Sequence, residues 1–206
     1  MRVLSLFITC VIALLTGVSA QGSDWRYRDL GDGVKSAVAL GSNDVHQVTY
    51  LTENNVGYVF YSKYDRVLDL FTMDTISSGQ CYGPCDMEVD KLNYPHVSFH
   101  DHNLNDGDVS HFSYNGTTWN HLPVNHDGHD GWDSEIAFDS NNKTHLISID
   151  PYLDSNSIEY AVYDGSNFIF ESIKTKSGLM YGFGFLLDTG NVPHISYYDD
   201  AEKQLY

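Results

Sequence analysis

Pro193-His194-Ile195-Ser196-Tyr197-Tyr198-Asp199 lies near the end of a 206-residue chain and has three counterparts upstream. They begin at His46 (His-Gln-Val-Thr-Tyr-Leu), His96 (His-Val-Ser-Phe-His-Asp) and His145 (His-Leu-Ile-Ser-Ile-Asp), so the four histidines are 50, 49 and 49 residues apart. A period that regular marks one supersecondary unit repeated in space. Other columns fall into line at the same spacing: Asp90, Asp139 and Asp188; Asp101, Asp150 and Asp199; Gly116 and Gly165; Trp119 and Phe168; Trp132 and Tyr181.

Each unit reads as four short strands. The first covers 38–40, 87–89, 136–138 or 185–187, and the second begins at the histidine. The third covers 109–114 or 158–163, and the fourth starts near Trp119 or Phe168. These segments are rich in Val, Ile, Tyr and Phe and broken by Asn, Asp and Gly, as strands are. In Ile158-Glu159-Tyr160-Ala161-Val162-Tyr163 the side chains alternate in kind, which is the period of a strand. Asn115-Gly116 and Asp164-Gly165 predict two-residue hairpin turns with positive φ at both central residues. The expected fold class is all-β: a β-propeller of four-stranded antiparallel blades in about four repeats of ~49 residues.

Pro-His-Ile-Ser-Tyr-Tyr-Asp, together with Ile158-x-Tyr160-Ala161-x-Tyr163-Asp164-Gly165, resembles the repeats of secreted β-propellers, among them the fucose-lectin-like and the sialidase-like (Asp-box) propellers. The resemblance covers Trp25 to Tyr206. It implies a propeller and leaves the activity open, because the matching residues are architectural in type.

Residues 1–20 predict a cleaved signal peptide: Arg2, an apolar run from Val3 to Leu15, then Val18-Ser19-Ala20. The run is shorter than the roughly 18 to 20 residues that span a bilayer. The expected domain is then 21–206, one secreted, extracellular propeller with repeats at 34–81, 82–131, 132–180 and 181–206. Gly22-Ser23-Asp24-Trp25 matches Gly116-Thr117-Thr118-Trp119, so 22–33 reads as a fourth strand completing the last blade. That gives a four-bladed ring, or else a fragment of a larger one. A formal charge of −17, or −18 without Arg2, argues against nucleic acid and against anionic membrane. Cys81 and Cys85 predict a disulfide closing a small loop, since a lone Cys-x-x-x-Cys is poor for zinc. Asn115-Gly116-Thr117 and Asn142-Lys143-Thr144 are N-glycosylation sequons. Both fall in turns at one end of the blades, where a glycan would block a flat binding surface.

The opposite end carries the candidate ligand residues. Trp132 and Tyr181, with Tyr82 one place off the spacing, form an aromatic column that could stack on a sugar or wedge between blades as core. His100, Asp101, His126, His129 and Asp130 combine imidazole and carboxylate as zinc sites do, and 101–108 resembles a calcium loop. That loop has its glycine one place late and Phe112 where the twelfth-position acid belongs. A solvated acidic turn explains the same residues, so no cofactor is required, with calcium or zinc as the alternatives. The histidine column (His46, His96, His145, His194) recurs in every unit, which indicates a structural role rather than catalysis.

A sialidase-like clamp needs arginines from several blades. Beyond Arg2 the chain has Arg26, Arg28 and Arg66, the first two on one strand face. The expectation is a non-enzymatic recognition propeller with a glycan or extracellular protein as ligand. The alternatives are a carboxylate or metal-dependent hydrolase on the same scaffold, and an extracellular scaffold protein with an acidic, cation-binding face.

Overall fold

The computed structural model describes residues 35–41, 46–51, 57–65, 68–78, 81–101, 108–124, 131, 133–150, 156–176 and 180–206. The expected leader (1–20) and N-terminal strand (22–33) lie outside them, as do His126, His129, Asp130 and Trp132. Among the described residues every element is a strand.

Sheet I contains β1 (Lys35–Leu40), β2 (His46–Leu51), β3 (Tyr58–Asp65) and β4 (Leu70–Ser78). Sheet II contains β5 (Cys81–Val89), β6 (Pro95–Asp101), β7 (Asp108–Tyr114) and β8 (Trp119–Val124). Sheet III contains β9 (Ser134–Phe138), β10 (Thr144–Asp150), β11 (Asn156–Tyr163) and β12 (Phe168–Lys176). Sheet IV has three strands, β13 (Met180–Leu187), β14 (Pro193–Asp199) and β15 (Gln204–Leu205). In each sheet the strands follow chain order and neighbours run antiparallel. Four consecutive antiparallel meanders are therefore observed.

The turns differ from expectation in one respect. The chain reverses over 115–118 and 164–167, closed by Asn115 N–H to Thr118 O (3.1 Å) and Asp164 N–H to Asn167 O (2.9 Å). Only the glycines take positive φ, 96° at Gly116 and 104° at Gly165. Asn115 and Asp164 instead turn their side-chain oxygens onto the following amides, Thr117 and Thr118 in one case, Ser166 and Asn167 in the other. An Asx cap replaces the second left-handed residue.

Register corrects the first copy of the repeat. His96 pairs with Glu88, His145 with Ala137 and His194 with Leu186. The matching pair in sheet I is Gln47 with Ala39, whereas His46 pairs with Leu40 as Pro95 does with Val89. The column is thus Gln47, His96, His145 and His194, and the period is 49 throughout. The slip matters because adjacent strand residues face opposite sides of the sheet.

Apolar residues pack between successive sheets. Ala39, Val59 and Tyr61 of sheet I meet Cys85, Met87, Val97, Phe99 and Phe112 of sheet II. Val109 and Val124 meet Leu146, Ala161 and Phe168 of sheet III, and Ile147, Ile149 and Ile158 meet Phe185, Ile195 and Tyr197 of sheet IV. Each fully buried Phe99-, Leu146- or Ile147-sized side chain contributes about 1.5–3 kcal/mol. The first strands of successive sheets also pack in order, β1 on β5, β5 on β9, β9 on β13. Among the described residues no further sheet packs on the outer faces of sheets I and IV. Val38 of β1 is 59% exposed, although its equivalents Met87 and Ile136 are buried, and its neighbour Leu40 is 63% exposed.

Candidate functional site

The recurrent polar columns sit at the sheet boundaries. Asp90, Asp139 and Asp188 each cap the turn after a first strand, Oδ1 accepting the amides two and four residues on: Leu92 and Tyr94, Asn141 and Lys143, Gly190 and Val192. The amide of Val192 and the imidazole of His194 hold the Asp188 carboxyl below its usual range. Each Oδ2 stands near the Nε2 of its column histidine, at 3.9 Å for His96, 3.8 Å for His145 and 3.3 Å for His194.

The other imidazole nitrogen reaches the third strand. His96 Nδ1 shares a 2.9 Å hydrogen bond with His111 Nε2, and His145 Nδ1 bonds the Tyr160 hydroxyl. The next sheet then covers the pair, with Phe138 edge-on to His96 and Phe168 edge-on to His111. Burial pushes His96 down to about 4, against the pull of Asp90. Burial, reinforced by His96 and His121, holds His111 well below its ordinary value. Both rings are therefore neutral at physiological pH. Sheet IV shows the column uncovered: the His194 side chain is 57% exposed against 14% for His96.

Sequence reasoning missed a second column. Asp86 Oδ2 accepts the backbone N–H of Ile136 (2.9 Å), and Glu135 Oε2 accepts that of Phe185 (2.5 Å). Asp86 and Glu135 are 49 residues apart, so the same first-strand carboxylate fastens each sheet to the next. The available signal was an acid interrupting an apolar strand twice at the repeat spacing. Burial raises both carboxyls, and Glu135 reaches about 7 with Asp86 and Asp133 adding repulsion. Asp133 is raised by burial and drawn back by Lys35. Glu135 can therefore exchange a proton near neutrality. Its acceptor role for Phe185 already gives it structural work.

The aromatic column has a definite place in the register. Tyr82 pairs with His100 and Tyr181 with Tyr198, and those partners are two full periods apart. The extra residue between the tyrosines is absorbed by bulges. The four steps from Tyr82 to Asp86 oppose two of β6, whereas the three from Tyr181 to Gly184 oppose two of β14. In sheet III, Gly131 N–H donates to Ile149 O (2.9 Å) and Ile149 N–H to Asp133 O (3.1 Å). Ile149 is the equivalent of His100 and Tyr198, so both chain neighbours of Trp132 meet that position. These tyrosines belong to first strands that start at Cys81 and Met180, earlier than the expected 87–89 and 185–187.

The remaining candidates separate. His100 and Asp101 are buried at the end of β6, and Asp101 Oδ2 accepts the Ser77 hydroxyl from sheet I at 3.3 Å. Among the described residues no three His, Cys, Asp or Glu side chains are grouped to hold a metal. The expected Cys81–Cys85 disulfide is not seen. Cys85 is a free thiol turned into the core beside Met87 and Phe99, where burial pushes it up to about 12. Asn115 is exposed in its turn, and Asn142 is half-buried.

No protein-family model matches this sequence, and no curated protein matches it. Solved structures do. An ulvan lyase of polysaccharide lyase family PL25 matches with a TM-score of 0.59 and 10% identity over 88% of this chain and 53% of its own. A protein of unknown function from Dyadobacter fermentans matches with 0.54 and 10%, over 85% and 68%. A GH43_12 protein retrieved from a capybara gut metagenome matches with 0.51 and 14%, over 84% and 41%. This chain thus spans about half of the ulvan lyase chain. At these identities the likeness is one of fold, and the neighbours are propellers.

Proposed function

We propose that this chain is a secreted, non-enzymatic recognition propeller that binds carbohydrate through the aromatic column. One observation carries it: Tyr82, Tyr181 and the neighbours of Trp132 occupy one register position in three successive sheets, each beside an irregularity of the first strand. Repeated equivalent aromatics suit weak, multivalent contacts with the apolar faces of sugars. The ulvan lyase that shares the fold was solved bound to a GlcA–Rha3S unit, which supports a glycan as the ligand class. In this proposal residues 1–20 are a cleaved leader, 22–33 add the fourth strand of sheet IV, and binding needs no metal. Glycan-array binding by the secreted protein tests it. Binding that falls at least tenfold in Tyr82→Ala, Trp132→Ala and Tyr181→Ala, with the melting temperature held, supports the proposal. Absent binding, or binding indifferent to all three, overturns it.

The alternative reading, a glycoside hydrolase, draws on Glu135, whose carboxyl burial raises to about 7 beside Asp86 and Asp133. Turnover of the bound glycan by wild type and its loss in Glu135→Gln would establish it. Binding without turnover leaves the recognition role.

A further inference from the structure

We infer that the two N-glycosylation sequons are not equivalent: Asn115 is the glycan-bearing site, and Asn142 is an inter-sheet clasp whose sequon stays unmodified in the folded protein. Both of Asn142's amide atoms are engaged across the boundary between sheets II and III. Its Oδ1 accepts the backbone N–H of Lys91 (2.8 Å), and its Nδ2 donates to Asp90 Oδ2 (3.2 Å). Lys91 Nζ bridges the same gap to the carbonyl of Ser140.

The residue recurs with the same job one unit on. Asn191 accepts the N–H of Ser140 on its Oδ1 (2.7 Å) and donates from Nδ2 to Ser140 Oγ (2.8 Å). Asn93, Asn142 and Asn191 are spaced by 49 and all hold left-handed φ, 66°, 66° and 64°. Asparagine takes that conformation more readily than most non-glycine residues. The position is therefore set by the turn and the clasp. What makes it a sequon is the residue two places on, Thr144, where the other units have Pro95 and Pro193. Thr144 is itself buried, at 4% exposure.

A sugar on Nδ2 removes one of its two hydrogens and must leave from between turns that Asp90, Lys91 and Ser140 already hold together. Chains glycosylated there lose the Asp90 contact or the close approach of the turns. Asn115 faces no such demand. It is exposed, its Oδ1 accepts Thr117 N–H, Thr117 Oγ1–H and Thr118 N–H within its own turn, and its Nδ2 has only Thr118 Oγ1 at 3.1 Å.

The test is expression of the full chain in a secreting eukaryotic cell, isolation of the folded monodisperse fraction, and peptide mapping with enzymatic deglycosylation in heavy-oxygen water. We expect label at Asn115 and none at Asn142. Asn115→Gln removes the glycan mass completely. Thr144→Pro, which restores the residue of the neighbouring units and abolishes the sequon while keeping Asn142, leaves glycan mass and melting temperature unchanged. Asn142→Gln also leaves the mass unchanged but lowers the melting temperature by about 5 °C, two net hydrogen bonds' worth. Label at Asn142 in the folded fraction, or a glycan mass that falls in Thr144→Pro, overturns the inference. An unglycosylated Asn115 overturns its other half.

Discussion

The carboxylate of Glu135 accepts the backbone N–H of Phe185 at 2.5 Å, tying the first strand of sheet III to that of sheet IV, as Asp86 ties sheet II to sheet III through Ile136. Glu135 makes this bond in surroundings that raise its carboxyl from 4.5 to about 7, burial being the main cause. The folded state thus holds the proton more tightly than the unfolded chain. The resulting stability is complete below pH 4.5 and is lost as pH climbs through about 7. In Glu135→Gln, whose amide oxygen can still accept from Phe185, this alkaline-side loss of melting temperature shrinks. A melting curve series from pH 4 to 8 that is parallel in wild type and variant refutes the assignment.

His96 has the opposite slope. Its folded value of about 4 lies below the ordinary 6.5, so the folded state binds the proton less well. The contribution is present above pH 6.5 and is lost as pH falls toward about 4. Gln47 occupies the same column in sheet I, which makes His96→Gln a substitution the fold already uses. We expect this variant to melt at a less pH-dependent temperature between 6.5 and 4. The same acid sensitivity in both proteins excludes His96 as its source.

Cys85 is a core thiol pushed up to about 12, so it is protonated and shielded from reagents. In a Cys81→Ser background, a colorimetric disulfide reagent leaves Cys85 unmodified until urea unfolds the protein. Reductant does not shift the wild-type melting temperature. A drop of several degrees in dithiothreitol would instead reveal a stabilising disulfide.

Two glycines separate backbone strain from steric overlap. Gly131 and Gly165 have similar φ, 101° and 104°, but a Cβ on Gly131 would lie 2.0 Å from Val109 Cγ2 whereas one on Gly165 meets nothing within 4 Å. Gly165→Ala should cost only left-handed strain, about 1–2 kcal/mol. Gly131→Ala adds displacement of buried Val109, about 1–3 kcal/mol more. Equal costs by chemical denaturation would show that the Val109 contact is relieved for free.

The sequence displayed the sheets because strand length, alternation and turn residues are local, and a 49-residue period repeats them. It misplaced His46 because histidine identity outweighed pattern. Gln47-Val48-Thr49 is the true match to His96-Val97-Ser98, and only cross-strand pairing with Ala39 and Glu88 decides between them. Tyr82 looked one place out of column because a bulge has no composition of its own. The carboxylates of Asp86 and Glu135 were hidden for another reason: their partners are backbone amides 50 residues away, and amides carry no sequence label. The tie from the Ser77 hydroxyl to Asp101 was likewise hidden, since it joins sheets I and II across 24 residues of sequence.

Asn142 accepting from Lys91 and Asn191 accepting from Ser140 each reach back from one module to its immediate predecessor at an offset of 51 residues. A duplicated 49-residue segment inserted at such a join would find its latch and its catch already cut to shape. Growth by whole modules thus demands no fresh invention at the seams, whereas an indel of any other length inside a module leaves two neighbours out of step at once.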